Sequence, residues 1–272
     1  MSYKEVLDGK KIVISISESE NMCALGLSEA HLVEAMCELA RHMLALGATL
    51  IYGGDIRARG FTRLLYELSS RYRKDSVDTR NRTSIINYLP WPSISKFTPE
   101  ELAELRHELL GTAEICLLDK NGQPSQSIFT EDDRSSAHLH WAESLTQMRV
   151  RTTAEATARI ALGGKTKDFM GGMPGIAEEI MISLTTQRPV YLLGGFGGCT
   201  REILDIMGVH NPLGVSSPNW NGASRFSAFS IGSLNNGLSP DENLALATTP
   251  YVDQAIVLVI RGLLNIRNQA NL

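Results

Sequence analysis

Residues 158–164 read ARIALGG, a short and mostly apolar run that ends in two glycines. The same arrangement occurs at residues 48–54 (ATLIYGG) and 189–195 (PVYLLGG), and residues 11–17 (KIVISIS) form a further β-branched run. Runs of this length and composition are typical of buried β-strands. Segments with apolar residues at helical spacing separate them, as between Ser28 and Gly47. This alternation of strand and helix predicts parallel βαβ units.

We therefore predict an α/β fold: a Rossmann-like, doubly wound and mainly parallel sheet with helices on both faces. The 272 residues are assigned to one domain with an insertion at 119–147 and an arm at 211–248. Within the arm, 19 of the 30 residues from 211 to 240 are Gly, Ser, Asn or Pro. Such a segment is expected to be a functional lid, an interface arm, a mobile linker or a loosely ordered connection. Further strands are predicted at 83–89 and 113–118, and further helices at 60–72, from 98, at 135–156, at 174–184, from 199 and from 249.

The composition narrows the classes of partner. The net charge is −4, which argues against holding nucleic acid through the overall field of the protein. Residues 1–11 lack the apolar core of a secretory signal, and the longest strongly apolar run, 255–260, is far shorter than the ~20 residues of a membrane span. No cysteines or histidines have the spacing of metal ligands. We expect a cytoplasmic protein that binds neither membranes nor nucleic acid and requires no metal and no cofactor.

The paired glycines indicate a ligand site. In a parallel sheet the three strand ends that carry them share one edge, and open α/β sheets bind ligands beyond that edge. Glycine lets the backbone approach a ligand closely, and a following helix offers free N–H groups to a phosphate. Each pair could instead form only a tight turn, but three pairs on one edge favour a pocket for an anion or a nucleotide. The sequence Gly164–Thr166 (GKT) matches the end of a Walker A motif, but Arg159 stands at the position of its first glycine, so a Walker A loop is excluded.

Charged residues on either side of the glycine pair Gly163–Gly164 are candidates for catalysis or phosphate binding. Glu178 and Glu179 lie in the first turn of a predicted helix, where they could simply complement the helix dipole. Adjacent helix residues point about 100° apart, so only one of the two is expected to face the crevice, where it could orient a ribose or activate water. Arg149, Arg151 and Arg159 lie upstream and are each either a phosphate ligand or a solvated surface charge.

Several of these segments resemble the LOG/SLOG superfamily, which includes LOG phosphoribohydrolases, the DNA-processing protein DprA and the nucleotide-sensing SLOG domains of TRPM channels and bacterial defence systems. The resemblance covers roughly residues 10–65 and 147–205. Relative to the family pattern, residues 165–173 are inserted into the phosphate loop and Asp55 replaces a glycine. The matching segments, in order, are Ile12–Ser19, Leu50–Asp55, Met148–Arg151, Ile160–Gly164, Pro174–Glu179 and Arg188–Gly194.

The resemblance implies roles for individual residues. Glu179 is the best match to the family's catalytic glutamate, with Glu178 beside it, and Arg149 and Arg151 are rival matches to its arginine. The residues expected to hold the ligand are Ser17, Ser19, Gly53, Gly54, Asp55, Gly163, Gly164, Lys165, Gly175, Gly194 and Gly195.

Three functions follow from the resemblance and the residues together. The first is a sensor that binds a nucleotide-derived signal, such as an ADP-ribose, NAD-like or nucleoside phosphate ligand, in bacterial defence or signalling. The second is an N-glycosidase that cleaves a nucleoside monophosphate or an NAD-like nucleotide. The third is an assembly scaffold whose apolar last helix pairs with another copy. A homo-oligomer is expected in each case.

Overall fold

A computed structural model describes residues 5–53, 61–75, 83–125, 137–209 and 219–270. The strands within these ranges are β1 (Lys11–Ser17), β2 (Thr49–Gly53), β3 (Ile85–Leu89), β4 (Ala113–Leu117), β5 (Ala158–Gly163) and β6 (Val190–Leu193). The helices are α1 (Glu29–Ala45), α2 (Phe61–Asp75), α3 (Trp91–Ile94), α4 (Pro99–Glu108), α5 (Trp141–Glu155), α6 (Gly175–Thr185), α7 (Gly198–Ile206), α8 (Pro240–Thr248) and α9 (Val252–Ala270).

The chain divides into two compact units. Unit 1 comprises Met1–Ile12 and Ala40–Glu155, and unit 2 comprises Val13–Leu39 and Ala156–Leu272. The division falls inside β1, which therefore supplies residues to both. The strand order is β4-β3-β2-β1 in unit 1 and β1-β5-β6 in unit 2. The pairs β2–β3, β3–β4 and β5–β6 are all parallel.

The predicted α/β, Rossmann-like fold with a parallel sheet is confirmed. Strand and helix alternate as expected, and β3 and β5 are buried along their whole length, as their apolar runs require. At α4, the helix predicted from residue 98, the side chain of Thr98 accepts from the Glu101 amide and that of Glu101 accepts from the Thr98 amide, so a capping box starts this helix. The long helix expected at 135–156 begins later, at Trp141, after a 3-10 turn at Ala137–His140.

The glycine- and serine-rich arm is an ordered part of unit 2 where it is described, from residue 219. Trp220, Phe226 and Leu234 are buried and belong to the apolar cluster beneath β5 and β6. The Asn236 amide donates to the Val190 carbonyl and to the Asn243 side chain at 2.9 and 2.7 Å. The small polar residues thus form turns and buried hydrogen bonds between apolar anchors. From residue 219 on, the segment is therefore neither a mobile linker nor a loose connection, and its role as a lid or an interface arm stays a prediction; residues 211–218 lie outside the described part.

The last helix, α9, packs its apolar side inside the chain. Ala255, Ile256, Val259 and Leu263 are all at most 4% exposed, whereas Val257 on the opposite side is 55% exposed. The surface expected to pair with another copy is therefore already covered, and a homo-oligomer stays a prediction. Within the part of the chain that the structure describes, no helix is both long enough and apolar enough to span a membrane.

Candidate functional site

A buried ion pair lies at the centre of unit 2. Arg159 on β5 is fully buried, and its Nη1 donates to Glu179 Oε2 at 2.8 Å and to Ser15 Oγ at 2.6 Å. The Ser15 hydroxyl in turn donates to the same Glu179 oxygen. The Arg159 Nε donates to Ser183 Oγ, one turn beyond Glu179 on α6. Two strands and one helix therefore hold the Glu179 carboxylate in one orientation.

This pair explains why a charge interrupts the apolar run of β5. A guanidinium removed from water is tolerated only where a carboxylate and hydrogen bonds compensate for its lost hydration. Arg159 was one of three upstream arginines considered as a phosphate ligand or a surface charge, and it is neither exposed nor free of a partner. The signal in the sequence was an arginine at the second position of a strand whose other residues are all apolar or glycine.

The two adjacent glutamates of α6 are both half-buried, and the expectation that only one of them faces a ligand crevice stays a prediction. Glu179 points inward and its side chain is 15% exposed. Glu178 lies in the first turn of the helix, where a carboxylate complements the N-terminal dipole. Their catalytic roles stay predictions.

Arg149 and Arg151 belong to unit 1, whereas Glu179 belongs to unit 2. Arg149 is 7% exposed, and the Arg151 Nε donates to Glu155 Oε1 at 2.8 Å on the same helix, α5. Burial raises the pKa of Glu155, but hydrogen bonds from Lys11, Tyr88 and Arg151 lower it more strongly, so that its pKa lies below the usual value. The Arg151 guanidinium is thus committed to an ion pair, and to bind a phosphate it would have to leave that pair.

The glycine corner after β5 joins three elements of unit 2. The Gly164 amide donates to the Ser17 carbonyl at 3.0 Å, and the Gly164 carbonyl accepts from the Cys199 amide at 2.9 Å. Gly163 and Gly164 have φ values of +68° and +103°. A β-carbon on Gly163 would overlap the carbonyl oxygen of Ser17. Among the residues predicted to bind ligand, Ser17, Gly163 and Gly164 are therefore brought together.

The corner after β6 is covered by the chain itself. Gly194 and Gly195 are buried, and β-carbons on them would meet the carbonyl oxygens of Ala247 and Thr249. On the side where a side chain would project, the C-terminal end of α8 packs directly against the two glycines. There the backbone of α8, and not a ligand, makes the close approach that glycine allows.

The remaining predicted ligand residues are dispersed. Ser19 donates to the side chain of Asn21 at 2.9 Å, Lys165 is exposed, and Gly175 is the first residue of α6. Gly53 ends β2 in unit 1. Gly54 and Asp55 lie outside the described residues.

A cavity of about 270 Å³ opens in unit 2 beside the corner after β5. Its walls come from the loop after β1, the loop after β5, helix α7 and the start of the described arm. Sequence reasoning missed all of its residues, although two are immediate neighbours of the predicted Ser19 and Lys165. The residues that line it are Glu20, Asn21, Thr166, Lys167, Glu202, Asn219 and Trp220.

Three hydrogen-bond donors of the loop after β5 converge on one carboxylate in this cavity. The amide of Thr166, the amide of Lys167 and the hydroxyl of Thr166 donate to Glu20 at 3.2, 3.0 and 3.0 Å. We call these three donors the Thr166–Lys167 nest. Burial raises the pKa of Glu20, but the hydrogen bonds of its own backbone and of the nest outweigh burial, so that this pKa is lowered. The nest therefore stabilises a negative charge.

A second carboxylate in the cavity is held by an aromatic side chain. The Trp220 Nε1 donates to Glu202 Oε2 at 2.6 Å, and Glu202 is 7% exposed. Burial raises the pKa of Glu202, and the negative charges of Glu20 and Asp205 raise it further, while the Trp220 hydrogen bond only partly opposes this. The two carboxylates of one cavity thus have pKa values moved in opposite directions.

The raised pKa of Glu202 predicts a pH-dependent stability. Between the pKa of the unfolded chain and the higher pKa of the folded chain, the folded state holds the extra proton, so stability falls as pH rises through this window. Glu202→Gln keeps an acceptor for Trp220 without the charge. We expect the variant to be more stable than the wild type by about 1 kcal/mol at pH 7.5 and equally stable at pH 4. Urea unfolding at both pH values measures this difference in stability.

The control is Glu18→Gln, which replaces an exposed carboxylate and is expected to change stability little at either pH. A gain in stability of Glu202→Gln that is larger at pH 4 than at pH 7.5 would contradict a raised pKa of Glu202.

Comparison with known proteins gives one family. A family model described as SLOG cluster2 matches residues 6–230, which include the ion pair and the cavity. None of the curated proteins matches the chain.

Proposed function

Because the chain belongs to the SLOG cluster 2 family, we propose that it binds a nucleotide-derived signal in the unit 2 cavity and does not cleave it. The ligand class is a nucleoside phosphate, ADP-ribose or an NAD-like nucleotide. The observation that carries the proposal is the Thr166–Lys167 nest, whose donors already hold an anion. Consecutive backbone N–H groups that point into a concavity are a common binding site for phosphate.

The other walls of the cavity suit the remainder of a nucleotide. Trp220 supplies an aromatic ring, and rings of this kind stack on nucleobases. Carboxylates such as that of Glu202 accept hydrogen bonds from ribose hydroxyls. Lys167 adds a positive charge that favours a phosphate. The hydrogen-bond donors of the Thr166–Lys167 nest, an aromatic ring and a carboxylate thus lie around one cavity of about 270 Å³.

Binding without turnover is favoured by the state of Glu179. Its Oε2 accepts from both Arg159 and Ser15, so this oxygen is occupied in holding the interior of unit 2 together. A carboxylate that assists attack at an anomeric carbon needs an oxygen directed at the reacting atoms. The N-glycosidase alternative requires either that this oxygen leaves its two donors or that the second carboxylate oxygen of Glu179, Oε1, faces the reacting atoms.

The proposal is tested by calorimetric titration with ADP-ribose, AMP and NAD⁺, with chromatography of each mixture for free base. We expect at least one ligand to bind and to be recovered intact. Lys167→Ala is expected to weaken binding about 3- to 10-fold, because it removes a cation that lines the cavity. The matched control is Lys165→Ala, which removes the same charge from another exposed lysine, two residues away, that does not line the cavity.

Three outcomes count against the proposal. No binding by any of the three nucleotides overturns it. Equal weakening by Lys165→Ala and Lys167→Ala contradicts the position of the phosphate. Release of free base that Glu179→Gln abolishes assigns the N-glycosidase function instead. If binding acts as a signal in defence, it should also change the assembly of the chain with itself, which light scattering with and without ligand measures.

A further inference from the structure

Glu20 occupies the donors that a phosphoryl group would use. Its two oxygens accept from the Thr166 amide, and they also accept from the Thr166 hydroxyl and the Lys167 amide. A carboxylate and a phosphoryl group are both anions that accept hydrogen bonds through oxygen. The chain therefore satisfies the Thr166–Lys167 nest with an anion of its own.

We propose that the Thr166–Lys167 nest is the subsite for the ligand's phosphoryl group and that Glu20 is a built-in competitor, which must leave before the phosphoryl group enters. This inference rests on the proposed nucleotide-binding function and deepens it. Glu20 would then set the threshold of ligand concentration at which the protein responds.

Glu20 and a phosphoryl group cannot share the nest. Each amide carries one hydrogen, and both amides already point at the Glu20 carboxylate. Two anions at hydrogen-bond distance from the same donors would also repel each other. The lowered pKa of Glu20 agrees with this geometry, because the donors of the nest stabilise the charged form of the carboxyl group.

The surroundings allow Glu20 to leave without disturbing the core. Glu20 is itself exposed, whereas the next residue, Asn21, is anchored: its Oδ1 accepts from the Gly198 amide and from the Ser19 hydroxyl, both at 2.9 Å. The loop backbone is therefore pinned beside Glu20 while the Glu20 side chain borders solvent. Rotation of one side chain empties the nest, and no segment of the fold has to open.

The size of the effect follows from the occupancy of the nest. When the binding-competent state is a fraction f of the molecules, the apparent dissociation constant is the intrinsic constant divided by f. If Glu20 fills the nest in about nine of ten molecules, removing it tightens binding about tenfold. The gain is confined to ligands that carry a phosphoryl group, since only those use the nest.

The test compares the wild type with Glu20→Ala and Glu20→Gln, using ADP-ribose, inorganic pyrophosphate and adenosine as probes in calorimetric titrations. We expect Glu20→Ala to bind ADP-ribose and pyrophosphate about tenfold more tightly and adenosine unchanged. Glu20→Gln, a neutral acceptor of the same shape, should give a smaller gain in the same direction. The control is Glu18→Ala, which removes an exposed carboxylate from the same loop and is expected to leave all three affinities within twofold.

Amide hydrogen exchange gives an independent readout. The amides of Thr166 and Lys167 should exchange faster in Glu20→Ala than in the wild type, and pyrophosphate should restore their protection. If Glu20→Ala fails to fold, the same measurement on Glu20→Gln decides.

The possible failures are distinguishable. If the wild type binds ADP-ribose and removal of Glu20 leaves the affinity equal or lower, the competitor role is overturned and the proposed function stands. If Glu20→Ala binds adenosine more tightly as well, the carboxylate only blocks entry, and the phosphoryl subsite is overturned. If neither the wild type nor the variants bind any probe, the proposed function fails with the inference.

Discussion

Replacing Arg159 with methionine is expected to lower the free energy of unfolding by about 3–5 kcal/mol. The substitution keeps an apolar stem in the fully buried position on β5 but leaves the Glu179 carboxylate without its 2.8 Å partner. A largely buried charge that loses its counter-ion retains the cost of desolvation, and the Ser15 hydroxyl that remains compensates for only part of it. Urea unfolding followed by circular dichroism measures the loss.

A matched substitution separates burial from the mere loss of an arginine. Arg151→Met also breaks an ion pair, but that pair joins side chains that are 34% and 20% exposed on one helix. Solvent screens such pairs, so we expect a loss below about 1 kcal/mol. Equal losses for Arg151→Met and Arg159→Met would contradict the account of the buried pair.

The double variant Arg159→Met, Glu179→Leu removes both charges at once. Buried ion pairs can often be replaced by apolar residues of similar size with little cost, so most of the stability lost in Arg159→Met should return. A double variant that is as unstable as the single one would show that the ion pair is not the cause. The double variant also allows a test of function. If it is folded and stable without Glu179, the contribution of Glu179 to ligand turnover can be measured in a folded protein.

Gly163→Ala is expected to destabilise the protein by about 3–4 kcal/mol. Two costs add at this position. The φ of +68° is unfavourable for any residue with a β-carbon, and that β-carbon would overlap the Ser17 carbonyl, which also accepts from the Gly164 amide. The corner must therefore shift, and the shift separates the ends of β1 and β5 next to the cavity.

Alanine substitutions at two other glycines separate the cost of the positive φ from the cost of the steric overlap. Gly208 has a φ of +84°, and no atom lies within 4 Å of the place that a β-carbon would take, so Gly208→Ala should cost only about 1 kcal/mol of backbone strain. Gly172 has neither a positive φ nor a close neighbour, and Gly172→Ala should change stability by less than about 0.5 kcal/mol. Thermal unfolding of the three variants measures the series. A Gly163→Ala protein no less stable than Gly208→Ala would show that the corner is not closely packed.

The secondary structure could be predicted because its causes are local. Apolar β-branched runs, glycines at their ends and a capping box such as Thr98–Glu101 act over a few residues, and each marked an element that is present. The order of the arm from residue 219 on could not be predicted, because its causes are not local. Its composition indicates turns correctly, but the burial of Trp220 and Phe226 depends on a partner surface that lies elsewhere in the chain.

The site could be predicted only in part. The corner of Ser17, Gly163 and Gly164 follows from the rule that parallel strands share a carboxyl edge. Helix geometry predicts that the two adjacent glutamates point in different directions, but not which of them contacts Arg159. The amino-acid pattern marks Arg159 as the one charge within an apolar strand, but it does not show that Glu179, 20 positions further along the chain, is its partner.

The order of residues along the chain thus settled the positions of the strands, of most helices and of the glycines at the strand ends, since hydrogen bonding, capping and side-chain periodicity are short-range effects. The helix α8, which lies within the predicted arm, was not predicted. The pairing of Arg159 with Glu179 and of Glu20 with Thr166 was decided only in three dimensions. Glu20 and Thr166 are 146 positions apart, and charge and hydrogen bonding act between them through space rather than along the backbone.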